Sequence, residues 1–381
     1  MQSMTPDTRQ NNPVNSRILS LDAFRGLTIA GMIIVNNQGD WQHVYKPLKH
    51  ASWHGWLGAD VIFPFFLFIC GVSIAISFSK KSDAEINNSF FLKKIVIRSI
   101  LIFLLGLIIN LFPDFNFYNF RIPGVLQRIA VCYLISSIIF IYFREKIQFL
   151  ITISILAVYY LLLQYFPSCD ESASCDPFSP LQNFCRTVDI NILGIHTYKN
   201  GTAPGLDPEG ILSTLPSIAS AIAGVIFGKM FLSGKKFSLM ILTGTVLIFS
   251  GLFLDKIIPI NKILWTPSYV LLMAGLASVM FLLFSLLIDS RKNILWSKPF
   301  IFLGKNALAI FFISTLLAKL SVHLKFMKED GSIISLKMIL YKNISDHMSS
   351  YNASLTYSLI YLSIWMIAAY VLHRKNIIIK I

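Results

Sequence analysis

Three histidines and an aspartate lie close together in the first third of the chain. His43, His50 and His54 precede Asp60 in a short polar stretch between two apolar segments. An imidazole titrates near neutral pH, and a neighbouring carboxylate can fix its tautomer and stabilise its cation. His50 beside Asp60 therefore predicts a general base or a transient acyl carrier.

Two other uses of these histidines are less consistent with the sequence. His50 and His54 have the four-residue spacing of a helical zinc site, but that motif carries Glu after its first His, and here Ala51 follows. We therefore expect no metal. A serine hydrolase is disfavoured because no G-x-S-x-G nucleophile elbow occurs. The nearby tryptophans are typical of an interfacial aromatic belt, which does not explain the histidines.

Further polar residues lie within or beside apolar segments, where charge is costly and marks functional sites. They include a basic motif at residues 121–128 (RIPGVLQR), an acidic motif at 207–210 (DPEG), and Arg25, Lys305 and Asn306. Together they predict an intramembrane polar chamber, open beside His50, whose cations could hold an anionic substrate. An acyltransferase using a coenzyme A thioester and a transporter or flippase for a glycan or anionic metabolite both fit, and composition does not separate them.

The elements that must position these residues are apolar helices. The chain has 381 residues, of which 55% are hydrophobic and 14% charged, with a mean hydropathy of +0.65. This excludes an ordinary soluble enzyme, and uncharged runs of about 20 residues are long enough to cross a bilayer. We predict an all-α polytopic membrane bundle with ten spans, at residues 20–37, 60–79, 95–112, 122–143, 147–166, 210–231, 237–254, 265–288, 299–320 and 355–373.

The distribution of Lys and Arg predicts the orientation. With both termini in the cytoplasm, 18 of these residues fall on short inside connections and about 12 on longer outside loops. The net charge of +14 is then mainly an orientation signal, and no basic stretch suggests nucleic-acid binding. We predict a cytoplasmic tail at 1–19, without a secretory signal, and one transmembrane domain at 20–381 in the bacterial inner membrane.

The long loop at 167–209 is placed outside by this topology, so a disulfide can survive there. It contains Cys169, Cys175 and Cys185. One bridge with one free thiol is expected, and the sequence leaves the pairing open.

Seven motifs in series resemble the catalytic region of the heparan-alpha-glucosaminide N-acetyltransferase family. They keep their order from the first predicted span to the eighth, and a weaker similarity continues to the end of the chain. They are LDAFRG at 21–26, VN at 35–36, KHASW at 49–53, DVIFPFFLF at 60–68, RIPGVLQR at 121–128, DPEGIL at 207–212, and NKILW at 261–265 followed by SY at 268–269.

The resemblance implies transfer of acetyl from cytosolic acetyl-CoA to a sugar amine on the far side of a membrane. By position, His50 matches the active-site histidine, Asn36 the asparagine that positions the thioester or its oxyanion, and Asp60 the acidic partner. It places His50 outside, in agreement with the charge distribution. Direct transfer and an acetyl-histidine intermediate both remain open. We expect coenzyme A contacts from Arg25, Arg121, Arg128, Lys305 and Asn306, and acceptor contacts from Trp53, His54, Glu209, Asn261 and Trp265.

Several features depart from the lysosomal enzymes. We expect the lumenal N-terminal domain and leading span of those enzymes to be missing here. His54 replaces an asparagine, the segment between Asn36 and His50 is longer, and the loop at 167–209 has its own sequence. The acceptor can therefore differ, whether an amine or a hydroxyl of a sugar. The expected partners are acyl-CoA, a glycan and membrane lipids, and a homodimer is one option that the sequence leaves open.

Overall fold

The computed structural model describes residues 17–86, 88–169, 175–199, 201–291, 294–327 and 331–379. Most of the predicted N-terminal tail, at 1–16, lies outside these ranges, as does the middle of the long loop at 170–174. Lys292 and Lys380, which contributed to the predicted orientation, also lie outside them.

Nine helices of the described chain are long and apolar enough to cross a membrane. Each is at least 18 residues long when the turn before α2 is counted with that helix, and an α-helix satisfies its own backbone hydrogen bonds, as hydrocarbon requires. The all-α fold class is therefore confirmed. The helices are α1 (Leu19–Asn36), α2 (Ile62–Phe78, preceded by the 3-10 turn Gly58–Val61), α4 (Ser89–Leu111), α5 (Val125–Tyr142), α6 (Glu145–Tyr165), α8 (Thr214–Leu232), α9 (Phe237–Leu254), α10 (Pro267–Phe284, extended by a π-helical turn, Ser285–Ser290) and α14 (Ser350–Arg374).

The predicted span at 299–320 is divided into two helices. α11 (Lys298–Lys305) and α12 (Ala307–His323) meet at Asn306 with a bend of 76°. The Asn306 side chain donates to the Ile377 carbonyl and accepts from the Ile379 backbone N–H, so it ties the bend to the end of the chain. Counted as one broken span, the pair makes ten.

The remaining elements lie in the connections. They are three short helices and a two-stranded hairpin: α3 (Asp83–Ile86), α7 (Phe184–Leu193), the strands β1 (Lys325–Met327) and β2 (Ile333–Ser335), and α13 (Leu336–Ser345). The strands pair antiparallel, with Phe326 opposite Ile334. Short 3-10 turns lie at Lys46–Leu48, Gly194–His196 and Leu295–Ser297.

Five helices form the centre of the bundle. More than half of α1, α2, α5, α8 and α10 is buried, whereas α4, α6, α9 and α14 expose most of their apolar surface. The exposed helices carry mainly apolar side chains, as expected of surfaces that face lipid. The polar side chains of the central helices are therefore shielded from the membrane.

Glycines allow α1 and α11 to pack backbone against backbone. A Cβ atom on Gly26 would lie 1.8 Å from the Phe300 carbonyl oxygen, and one on Gly304 would lie 1.9 Å from the Asp22 carbonyl oxygen. No other residue fits at these two positions without separating the helices. This contact holds the first turns of α1 beside the bend at Asn306.

The alternation of the helices defines two ends of the bundle. The His50 end carries the connections at 37–57, 112–124, 166–213, 255–266 and 324–349. The Arg25 end carries the shorter connections and the start of α1. The long connections, and most of the predicted chemistry, therefore lie at the His50 end.

Candidate active site

His50 and Asp60 form a hydrogen-bonded pair at the His50 end. The imidazole Nδ1 lies 2.7 Å from Asp60 Oδ1. Asp60 Oδ2 accepts from the backbone N–H groups of Ala51 and Leu57, each at 2.9 Å. The Asp60 side chain is 1% exposed and the His50 side chain 49% exposed. A fixed, buried carboxylate thus holds an accessible imidazole, with the Nδ1 proton facing Asp60 and the Nε2 lone pair available as a base.

A lysine that was not among the predicted site residues lies against both members of this pair. Lys262 Nζ lies 3.3 Å from Asp60 Oδ1 and 3.0 Å from His50 Nδ1. Burial lowers the pKa of Lys262, and the carboxylates of Asp60 and Glu209 oppose that shift. The NKILW motif at 261–265 was the available signal, but nothing in its sequence points to His50, 212 residues earlier.

Asn261 and Trp265 support the turn that carries Lys262. Asn261 donates to the Trp53 carbonyl at 3.0 Å and accepts from the Leu264 backbone N–H at 2.9 Å. The Trp265 indole donates to Ser220 at 3.0 Å. Both side chains are fully buried. They were predicted to contact an acceptor, and the structure places neither on an accessible surface.

Arg121 joins two acidic residues into a cluster beside the pair. Its guanidinium donates to Asp207 through Nε at 2.9 Å and through Nη2 at 2.5 Å, and Nη2 also donates to Glu209. Burial would lower the pKa of Arg121, but Glu209 and Asp207 outweigh it and raise the pKa. Because Glu209 also acts on Lys262, this cluster is electrostatically connected to His50 and Asp60.

Arg128 and Asp189 lie behind this cluster, away from solvent. Arg128 donates to Ser213 at 2.5 Å and lies over the Trp265 ring at 5.1 Å. Asp189 accepts from the backbone N–H groups of Asp207 and Ile211. Burial raises the pKa of Asp189 to about 6. These contacts shape the backbone at 207–213, so they position Glu209 rather than form an accessible surface.

Asn36 lines a large cavity at the same end. The cavity has a volume of about 880 Å³ and contains the exposed Asn36 side chain at the end of α1. The polar part of its wall consists mainly of basic and amide side chains, and the rest is apolar. Its lining includes Asn36, Trp41, Asn110, Arg121, Lys319 and Lys337, but not His50 or Asp60, so Asn36 and His50 do not line one common cavity.

A second cavity lies at the Arg25 end. It has a volume of about 460 Å³, and Arg25, Arg98, Lys305 and Asn306 line it. Arg25 is held by Ser73 at 2.6 Å and by Asp22 at 3.3 Å. Three of the residues predicted to bind a coenzyme thus meet in one cavity. Arg121 and Arg128, predicted to act with them, lie at the opposite end of the bundle.

Comparison with known proteins identifies the family. Residues 17–253 match the profile described as heparan-alpha-glucosaminide N-acetyltransferase, catalytic. The chain belongs to the heparan-alpha-glucosaminide N-acetyltransferase family. The resemblance drawn from the seven motifs is therefore confirmed.

Two relatives in this family align with nearly the whole chain. The heparan-alpha-glucosaminide N-acetyltransferases of Mus musculus and Homo sapiens are each 28% identical to it, over 99% of its residues. The chain spans about 62% of the length of these relatives. The matched profile includes His50, Asp60, Arg121 and Glu209, but ends before Lys262.

Two residues predicted to contact the acetyl acceptor, Trp53 and His54, lie in the connection after His50. Trp53 donates to the Phe178 carbonyl at 2.8 Å and packs against the long loop. His54 is exposed beside it, and partial burial lowers the pKa of its imidazole. His54 contacts Trp53 by its ring edge, while His50 pairs with Asp60, so the two histidines have different partners. Within the described ranges, no three His, Cys, Asp or Glu side chains are arranged to hold a metal ion.

The structure decides the disulfide that the sequence left open. Cys169 is bonded to Cys175, and Cys185 is the free thiol of this loop. Cys185 is buried at the start of α7, 3.2 Å from the Tyr159 hydroxyl. Burial raises the pKa of Cys185 to about 12, so the thiol is unreactive.

Proposed function

We propose that this chain is a membrane-embedded acetyltransferase. It takes acetyl from acetyl-CoA at the Arg25 end, in the cytoplasm, and delivers it to an amine or hydroxyl of a sugar at the His50 end, outside the bacterial inner membrane. The observation that carries the proposal is the accessible His50 imidazole held at 2.7 Å by the buried Asp60 carboxylate. The names of the relatives support N-acetyl transfer.

The proposed reaction at the His50 end is a direct acyl transfer. The acceptor amine attacks the thioester carbonyl as His50 Nε2 removes its proton, and the carbon–sulfur bond then breaks. The proton passes from His50 to the departing sulfur, which leaves as the free thiol of coenzyme A. Asp60 stabilises the imidazolium during this sequence. Asn36, exposed in the cavity of about 880 Å³, is the proposed donor to the developing oxyanion.

The donor is proposed to enter through the cavity at the Arg25 end. The phosphates of coenzyme A carry several negative charges, and the guanidinium groups of Arg25 and Arg98 with the Lys305 ammonium surround this cavity. The Asn306 side chain shapes the cavity because it binds the backbone of Ile377 and Ile379. The thioester must then extend toward the His50 end for the transfer to occur.

The acceptor is proposed to approach through the cavity that Asn36 lines, and its amine must then extend to His50, which does not line that cavity. Trp41 offers an aromatic face for a sugar ring, and Asn110 and Lys319 line the same space. Trp53 and His54 lie in the connection that carries His50, where they can contact an acceptor that approaches the imidazole. Glu209 is held by Arg121 and is proposed to act on the acceptor amine by charge.

The central experiment follows free coenzyme A release from acetyl-CoA by purified protein, with a panel of amino sugars and cell-envelope glycans. We expect His50→Gln to lower kcat by about 10² to 10⁴, the usual contribution of a general base. His43→Gln is the matched control, because His43 pairs with the Asp40 carboxylate at 2.6 Å in the same connection. It should retain near wild-type turnover.

Two outcomes would contradict the proposal. Equal activity of His50→Gln and wild type would exclude His50 as the base. Wild-type protein that releases no coenzyme A with any acceptor, yet moves a glycan or anion across vesicles, would favour a transporter. Initial-rate patterns then distinguish direct transfer from an acetyl-histidine intermediate, which gives ping-pong kinetics.

A further inference from the structure

Lys262 occupies a position between the His50–Asp60 pair and the acidic cluster. Its ammonium is 3.3 Å from Asp60 Oδ1 and 3.0 Å from His50 Nδ1, and it interacts electrostatically with Glu209. The Lys262 side chain is 20% exposed. No step of the proposed acyl transfer uses this half-buried charge, although it lies beside the proposed base.

Lys262 does not form a hydrogen bond with Nδ1 of His50, although the two atoms are close. Asp60 Oδ1 is an acceptor, so its 2.7 Å contact requires a proton on Nδ1 of His50. Nδ1 then has no lone pair for Lys262, and the hydrogen-bond acceptor of the ammonium is Asp60 Oδ1. The imidazole and the ammonium therefore share one carboxylate, with a positive charge about 3 Å from the ring.

We propose that Lys262 is a positioning residue whose charge keeps the resting His50 ring neutral and in the tautomer with Nδ1–H toward Asp60. The contribution of Lys262 to catalysis rests on the acetyl transfer proposed above. A cation beside the imidazole opposes the second proton on the ring, so the base stays available at lower pH. The same charge makes the imidazolium formed during transfer a better acid toward the departing sulfur.

Other charged and titratable groups also surround this centre. Asp60, at the head of α2, favours the imidazolium, and Lys262 offsets it. Glu209, from the segment before α8, and Arg128, from α5, act on Lys262 with opposite signs. Tyr269, from α10, donates to the Asp60 backbone carbonyl at 2.6 Å and leaves the carboxylate to His50 and Lys262.

The test compares Lys262→Met with Lys262→Arg across a pH series of kcat/KM for acetyl transfer. Lys262→Met removes the charge, so we expect the acidic limb of the profile to move to higher pH by about one unit, or tenfold in rate on that limb. Lys262→Arg retains the charge and should keep the limb near that of wild type. Lys256→Met is the matched control, since Lys256 is exposed in the same connection. Lys262→Gln replaces the Met variant if that protein does not fold.

An NMR titration of the His50 ring separates this inference from the proposed function. Histidine-labelled protein in nanodiscs is used, with the resonance assigned through His50→Gln. A midpoint that moves upward in Lys262→Met supports the inference even if the wild type shows no turnover, in which case only the proposed function fails. An unmoved midpoint, or an equal movement in Lys256→Met, would overturn it. A uniform fall in kcat/KM at every pH would also do so, since that indicates a purely structural role.

Discussion

At the scale of single residues, each of two buried carboxylates in this protein binds several partners at once. Asp60 serves both His50 and Lys262, and Asp207 serves Arg121 and two backbone N–H groups. Both carboxylates are almost fully buried. A buried carboxylate that loses its cation is destabilising, because the remaining charge is unpaired in a low-dielectric environment. Each such group therefore affects stability as well as chemistry.

Arg121→Met tests whether the buried carboxylates of Asp207 and Glu209 need their cation for stability. The substitution leaves Asp207 and Glu209 without their guanidinium partner, so we expect the free energy of unfolding to fall by about 2–4 kcal/mol. Denaturant titration of detergent-solubilised protein measures the change. Arg17→Met is the control, because Arg17 is 45% exposed and its partner Asp22 also contacts Arg25. It should cost less than about 1 kcal/mol, and equal losses in the two variants would contradict the argument.

At the scale of elements, close helix contacts decide where the polar groups lie. α1 and α11 approach through Gly26 and Gly304, and Arg25 reaches the Gly304 carbonyl at 3.4 Å. The division of the ninth predicted span at Asn306 brings Lys305 and Asn306 to the same cavity as Arg25. The hydrophobic pattern of this segment predicted a helix but contained no sign of the bend, because the partners of Asn306 lie more than 70 residues later.

Gly304→Ala tests the contact between α1 and α11. The added methyl group would meet the Asp22 backbone at 1.9 Å, so the helices must separate, and we expect a loss of about 3 kcal/mol in unfolding free energy. Gly31→Ala, on α1, is the control. There the new methyl meets only the flexible end of the Ile62 side chain, at 3.0 Å. Thermal unfolding of the two variants compares them, and a Gly304→Ala protein as stable as Gly31→Ala would be inconsistent with backbone contact.

At the scale of the whole molecule, the two cavities lie at opposite ends of a bundle with an apolar exterior. The cavity with Arg25 lies where the connections are short, and the cavity with Asn36 lies where they are long. This arrangement suits a reaction whose donor and acceptor are on different sides of a membrane. The excess of Lys and Arg on the short connections predicts that the Arg25 end is cytoplasmic.

Cysteine labelling in intact cells tests that orientation. Tyr118, at the His50 end, is 81% exposed, and Lys235, at the Arg25 end, is also exposed. We expect Tyr118→Cys to react with a membrane-impermeant maleimide in intact cells, and Lys235→Cys to react only after lysis. Wild-type protein provides the background, in which Cys185 is buried. Labelling in the reverse order would invert the topology.

The sequence by itself determined the class of the protein, its helices and part of its candidate site. Apolar runs and charge depletion are local properties, so they were sufficient to predict the helical membrane bundle. The series of motifs was sufficient to predict the family. The short separation of His50 and Asp60 along the chain was sufficient to predict that these two side chains pair.

Only the tertiary structure decided which distant residues meet. It placed Lys262 beside His50, Arg121 between Asp207 and Glu209, and the five predicted coenzyme residues at two separate ends. It also placed Asn261 and Trp265 inside the fold, as supports of the turn before α10. The physical reason is that ion pairs and burial depend on distances through space, which hydropathy and local spacing along the chain do not encode.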